Sequence, residues 1–327
     1  PGPACYAQGN TRPTVTDANL VLGFLGADSL AGGALRLNPE LAERALQSHV
    51  AAPAGLSLLD AAWGVHVIAN SNMVRAIKSV SVERGRDPAA FALMAFGGAG
   101  PVHAVSVAAE LGIRTVIVPP APGVFSAFGL LRADIEHHAA RTVLTSTAQF
   151  DAGAINRAIA AMRDELIARM RDEGYDAAQV KIATRVDLRY RGQSSEITVA
   201  LPEKSVTQSG LRAAEQRFET EFERTYGHRG NTQDFELVTC RLIATVPRAT
   251  HYDARWEPDA AHATPTRAVY FGATHGSLHT LVVTRKSLAD AAISGPAIVQ
   301  EYDTSVVIPP GWHACLDATG NIVATAA

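Results

Sequence analysis

Gly97, Gly98, Ala99 and Gly100, within the run Phe91-Ala-Leu-Met-Ala-Phe-Gly-Gly-Ala-Gly-Pro-Val-His-Ala104, offer the most chemistry of any short stretch of this sequence. An apolar segment of strand length stops at two glycines, and a helix is expected to open at Pro101. Glycine lets a backbone come close to a ligand. The first N–H groups of a helix lack internal partners and favour an anion or a polar ligand edge. A strand, a glycine turn and a helix N-terminus together form a common nucleotide-binding corner. The same residues also suit a tight turn with no ligand.

Other reactive residue types are scattered. His137 and His138 are adjacent, and neighbouring strand residues point to opposite faces, so the pair is not expected to share one metal ion. His275 and His279 have helical spacing, but Gly276-Ser277 between them predicts a turn. The sequence has no HExxH, no GxSxG and no GxxxxGK[ST] pattern. Cys5 stands beside Tyr6 in a predicted loop; a catalytic thiol needs a neighbouring base or positive charge, and no sequence feature supplies one. Asp17 in Thr14-Val-Thr-Asp-Ala-Asn19 reads as a helix cap or as a ligand for Mg²⁺ or substrate, the cap being the commoner role. No catalytic residue and no metal ligand is assigned.

The elements that must position these residues follow from pattern. Thr16 or Asp17 is expected to cap a helix to Leu25, and Asn38-Pro39 to open one to about Val50. A long helix is predicted over 57–84, with Val65, Ile68, Ala69, Met73, Ala76, Ile77 and Val80 as its buried stripe. Asn72 falls on that stripe and is read either as a satisfied core amide or as a group aimed at a ligand. A strand, loop and helix occupy 91–112, a strand 115–118 and a helix 122–132. This alternation predicts an α/β layer. From about 141 the character changes, with helices over 151–173 and 211–226 and a hairpin turning at Arg191-Gly192-Gln193-Ser194. Strands follow at 234–248, 267–271, 278–284, 297–308 and 312–325, read as a small antiparallel sheet or barrel. Two domains are therefore expected, 1–140 and 141–327, with 251–327 mainly β.

The chain has 327 residues, 47% of them hydrophobic, and a formal net charge of -3. That charge predicts no bulk attraction to nucleic acid or to an acidic membrane, and no unbroken apolar run is long enough to span a bilayer. Three distant cysteines without a CxxC pair fit a reducing cytoplasm. No signal peptide is visible, and the start at Pro1 in a Gly/Pro-rich loop suggests a fragment or a processed chain.

Several segments together resemble the hydantoinase A / 5-oxoprolinase family: Pro1–Tyr6, Pro13–Gly23, Met73–Ile77, Val80–Pro88, Ala95–Ala104 and Pro119–Leu131, then Tyr190–Gln193, Tyr226–His228, Glu301–Asp303 and Pro309–Trp312. The resemblance runs along essentially the whole chain. It implies an α/β fold of the actin and sugar-kinase type, an ATPase lobe followed by a C-terminal α+β domain ending in an antiparallel sheet or small barrel. In that scheme Gly97, Gly98, Ala99 and Gly100 match an adenosine motif, Asn70, Asn72 and Arg75 become candidates for the pocket wall, and Ser126–Gly129 lies on a small-residue hinge helix. A β-branched residue at Gly98 would then intrude on the pocket and conflict with a positive-φ backbone. The implied activity is ATP-dependent opening of a cyclic amide such as a hydantoin or 5-oxoproline, with a hydantoinase B-like partner. Related ketone carboxylases, or a non-catalytic assembly module, are the alternatives. ATP and Mg²⁺ are implied as cofactors, but the family's Asp-Gly-Gly-Thr type motifs for phosphate and metal lie in an N-terminal half that this sequence lacks.

Overall fold

Short polar side chains open most of the longer helices in the computed structural model, which describes all residues except 1, 29, 203–204, 231–233, 249–265 and 290. Thr14, rather than Thr16 or Asp17, caps α1 (Val15–Val21), and Asp17 closes the capping box from inside the first turn. Asn38 caps α2 (Pro39–Leu46) and Ser57 caps α3 (Leu58–Val80). Two helices follow: α4 (Gly100–Glu110), which has no side-chain cap, and α5 (Phe125–Arg132). Asp151 caps α6 (Ala152–Asp172), and Thr207 caps α7 (Gln208–Tyr226), which ends on left-handed Gly227 at φ 74°.

Among the described residues, thirteen strands make three sheets: β1 (Leu93–Met94), β2 (Thr115–Val118), β3 (Ile135–Ser146), β4 (Lys181–Tyr190), β5 (Ile197–Ala200), β6 (Phe235–Val246), β7 (Thr266–Tyr270), β8 (Ser277–Val283), β9 (Ile293–Ser294), β10 (Ala297–Gln300), β11 (Ser305–Ile308), β12 (Trp312–Leu316) and β13 (Ile322–Ala326). Contacts divide the chain into two compact units. One takes in Pro1–Val82, Asp87–Leu130 and Asp253–Ala327; the other takes in Glu83–Arg86 and Leu131–Tyr252. This is a different division from the expected one at 140/141, because the last strands pair with the first.

In the first unit β1 and β2 are parallel, and β13 lies antiparallel against β2 with Ile322 opposite Val118 and Thr325 opposite Thr115. The sheet order is β1-β2-β13-β12-β9, and a second sheet runs β11-β10-β8-β7. The expected antiparallel sheet or barrel at the C-terminus is thus replaced by strands shared between two sheets, with β10 parallel to β8. Core residues include Val74, Ala108, Val116, Ile308 and Ala324 in one cluster, and Phe24, Leu46, Val269 and Ile298 in another. The second unit is an antiparallel sheet in the order β3-β6-β4-β5, its core built from Met162, Leu166, Tyr190, Phe218 and Leu242.

One arginine ties distant parts of the first unit together. Arg285 Nε donates to Glu301 Oε1 at 2.6 Å and Nη2 to Oε2 at 2.7 Å. Its Nη1 donates to the carbonyls of Gly320 at 2.7 Å and Val118 at 3.2 Å, and Nη2 to Pro119 at 3.0 Å. Both side chains are buried, and every N–H of the guanidinium has an acceptor. The end of β2, the end of β10 and the β12–β13 turn therefore meet at a single side chain.

α3 turns part of its expected stripe inward, with Val65, Met73 and Ile77 packed against the core, but the most deeply buried line runs beside that stripe. Ile68 is 64% exposed and Val80 57%, while Ala62, His66, Asn70 and Val74, spaced four apart, are buried. Asn72, expected on the buried stripe, is exposed and bonds Arg75 one turn on. His66 and Asn70 face inward here because His66 Nδ1 and Asn70 Oδ1 find partners on other helices. Among the described residues no single helix is long and apolar enough to cross a membrane; a bent pair, Pro39–Ala54 and Leu58–Arg84, meets the length and composition test alone.

Candidate functional site

Ligands of parallel α/β sheets gather outside the carboxyl ends of the strands. Here the carboxyl ends of β1 and β2 both run into glycine turns. Ala95 N–H donates to Ile117 O at 2.8 Å, and Gly97 N–H to Pro122 O at 2.7 Å, so the two turns are bonded together. Gly97 has φ +83°, a conformation that a side chain would strain, whereas Gly98 is not in the left-handed region. The positive-φ backbone expected at Gly98 thus belongs to its neighbour. A Cβ placed on Gly97 or Gly100 would meet no atom within 4 Å, so the loop presents a bare backbone surface. Beside Gly100 lies an apolar hollow of about 330 Å³, lined among others by Met73, Ile77, Leu93, Phe96 and His103.

His103 belongs to a buried polar chain under this hollow. His66 Nδ1 lies 2.8 Å from Asn19 Oδ1, Asn19 Nδ2 3.2 Å from His103 Nε2, and His103 Nδ1 2.7 Å from Asn70 Oδ1. One set of hydrogens satisfies all three contacts: each imidazole is neutral and donates through Nδ1. The two rings stack at 4.5 Å, and Trp63 also stacks on His66 at 5.6 Å. Burial, joined by repulsion from His103, takes the His66 pKa down to about 3; burial takes His103 down to about 4. His66 Nε2 has no protein partner among the described residues.

The other sequence candidates separate clearly. Asn70 is buried with its carbonyl committed to His103, while Asn72 and Arg75 are exposed and bond each other. The helix carrying Ser126–Gly129, α5, has no buried residue. Asp17 is spent on the capping box, as the partner of Thr14: burial pushes its carboxyl up, but N–H donors from Cys5 and Thr14, at 2.7 Å each, and the Thr14 hydroxyl at 2.9 Å hold it below the usual range. Burial and the Asp17 charge push the Cys5 thiol up to about 12, the opposite of an activated nucleophile. His137 bonds Glu173 at 2.8 Å and His138 faces Glu136 at 3.4 Å. Among the described residues no group of three or more His, Cys, Asp or Glu is arranged to hold a metal ion.

With this geometry in hand, known proteins give the kinship. The pattern for hydantoinase/oxoprolinase matches residues 1–139, and that for the hydantoinase/oxoprolinase C-terminal domain matches residues 145–322. The chain belongs to the hydantoinase/oxoprolinase family. Within the family, it is 37% identical to an uncharacterized protein of Methanocaldococcus jannaschii over 98% of this chain and 45% of that one. It is 32% identical to the alpha subunit of caprolactamase from Pseudomonas jessenii, over 98% and 47% of the two chains. The acetophenone carboxylase gamma subunit of Aromatoleum aromaticum is also 32% identical, over 98% and 46%. The crystal structure of the ATP-dependent caprolactamase from Pseudomonas jessenii matches with a TM-score of 0.78 at 30% identity, covering all of this chain and 48% of that one. This hydantoinase/oxoprolinase chain therefore spans about half the length of the curated relatives it matches.

Sequence reasoning missed His66 and Thr304, and noted Asn19, His103 and Asp303 only as parts of motifs. The available signal was the spacing of His66 and Asn70, one helical turn apart, with His103 one turn beyond the glycines. Asp303 and Thr304 reach the loop through pairing of distant strands, which spacing does not encode.

Proposed function

We propose that this chain supplies the nucleoside-facing wall of an ATP site, in an actin- and sugar-kinase-like lobe, within an enzyme that opens a cyclic amide. The observation that carries this reading is the bare glycine surface at the carboxyl end of β1, set against an apolar hollow. Gly97 and Gly100 leave room for a ribose edge, and the apolar wall from Met73 to Val107 excludes water from a purine. His103 has both ring nitrogens engaged inside the protein. It therefore contributes packing and no proton transfer. ATP, when bound, supplies a phosphoryl group for the amide oxygen, which ends amide resonance and makes the carbon attackable by water. The phosphate and Mg²⁺ ligands are assigned to the part of the family sequence outside this chain, and the water attack to a hydantoinase B-like partner. The three free cysteines fit a cytoplasmic setting.

The substrate class is taken from the caprolactamase relative: a lactam, with hydantoin and 5-oxoproline as further candidates. A ketone carboxylase subunit is the second reading, favoured by the equal identity to the acetophenone carboxylase subunit. A substrate panel on the assembled enzyme separates them, scoring lactam-dependent against ketone-dependent ADP release.

Two results are expected. This chain alone hydrolyses ATP at less than about one-thousandth of the assembled enzyme's rate, because positioning and charge neutralisation carry most of phosphoryl transfer; comparable steady-state turnover refutes that. Gly100→Leu, at a position with open space and ordinary φ, fills the hollow without straining the backbone. It is expected to weaken ADP binding to the assembled enzyme about tenfold or more, the cost of losing roughly one buried contact set, with the melting temperature unchanged. Unaltered affinity in calorimetric titration counts against the site.

A further inference from the structure

We infer that the Glu301–Thr304 turn between β10 and β11 is the device that positions the glycine loop, with Thr304 and Asp303 as its positioning residues. This deepens the nucleotide-site reading above and rests on it.

The Gly97–Gly100 loop has little of its own to hold it. Its glycines carry no side chains, and two of them have empty space where a Cβ would sit. Its backbone bond to Pro122 fixes one end. The other restraint comes from the turn: the buried Thr304 Oγ1 donates to Gly98 O at 2.8 Å. The next residue back grips the second glycine turn, where Asp303 Oδ2 accepts from Gly123 N–H at 2.6 Å. The contact is so close that a Cβ on Gly123 would lie 2.6 Å from that oxygen and 2.8 Å from Asp303 Cβ, which gives a steric reason for glycine there. Glu301 N–H donates to Thr304 O at 2.9 Å and closes the turn. Its carboxylate is held by Arg285, which also holds the carbonyls of Val118 and Pro119 at the end of β2. One four-residue turn thus fixes the carboxyl ends of both parallel strands. A loop ordered in advance spares a ligand the entropy of ordering it, and glycines have the most to lose.

The test uses Thr304→Val, which keeps shape and removes the donor, and Thr304→Ser, which keeps the donor. Amide exchange over residues 97–100 is read on the chain itself, and ADP affinity on the assembled enzyme. Thr304→Val is expected to speed exchange of the loop and to weaken ADP about tenfold, the loss of one buried hydrogen bond; Thr304→Ser does neither. Unchanged exchange in Thr304→Val overturns the inference. So does faster exchange with wild-type ADP affinity while Gly100→Leu is weakened, and that result leaves the nucleotide site standing. If no variant alters affinity, Gly100→Leu included, the site reading falls and the inference with it. Should Thr304→Val not fold, Gly123→Ala drives a methyl into Asp303 from the other side of the turn, and the same outcomes apply.

Discussion

Glu301→Ala is expected to lower the unfolding free energy by about 3–5 kcal/mol, the range found when one partner of a buried ion pair is removed. Both charges lie inside the protein, with side chains 5% and 4% exposed, so the remaining guanidinium is left without its counter-charge. Replacing both partners by apolar residues often costs little, but that rule should fail here. Arg285 also satisfies the carbonyls of Val118, Pro119 and Gly320, and its removal strands them. Urea unfolding followed through tryptophan fluorescence checks the claim, since Trp63 and Trp312 lie in the first unit. A loss under about 1 kcal/mol, the scale of an exposed pair, would show that the pair is solvated in practice.

Acid should destabilise the first unit well above the carboxylate range. His66 and His103 titrate near 6.5 when unfolded but near 3 and 4 in the fold. Above pH 6.5 both states hold them neutral, and the stability is intact. As pH falls through 6.5 the unfolded chain takes up protons that the folded chain refuses, so stability drops until the folded values are reached. Each histidine contributes a loss of about 1.4 kcal/mol per pH unit in that window, on the order of 2–4 kcal/mol for both at pH 5. Urea midpoints at pH 7.5 and 5.0 measure it. A flat profile, or imidazole nitrogen resonances that move to the cationic position by pH 5.5, would contradict the buried neutral chain.

Local structure was legible in the sequence where it depends on neighbours. The cap at Asn38, the stop at Gly227 and the corner at Gly97 are each set within a few residues, and each appears as expected. The misreadings share a cause. Apolar spacing on α3 pointed correctly to Val65, Met73 and Ile77 and wrongly to Ile68 and Val80, because the buried line also carries His66 and Asn70, which bond partners on other helices. A hydrophobic pattern cannot register that. The C-terminal strands were located along the chain and misassigned in space. Val116 and Ala324 are paired partners more than two hundred residues apart, and nothing local to β13 names β2. A weak sign was present in β10 and β11, whose eight residues are all buried, the uninterrupted run of strands covered on both faces rather than the alternation of a solvated sheet. The glycine loop was found because glycine is rare where backbone must be regular; the turn that holds it was not, because a threonine and an aspartate have ordinary roles almost everywhere.

The pairing of β13 with β2 has a consequence for biosynthesis. The second unit is an insertion, continuous apart from a few residues, and all of its strands have been made once residue 246 leaves the ribosome. The first unit is interrupted by it and must wait. Until β13 and the turn before it are translated, the flank of β2 lacks its neighbour, and Arg285 lacks the Gly320 carbonyl. The nascent chain therefore carries an open strand edge until β13 is made, an interval in which a chaperone has much to protect.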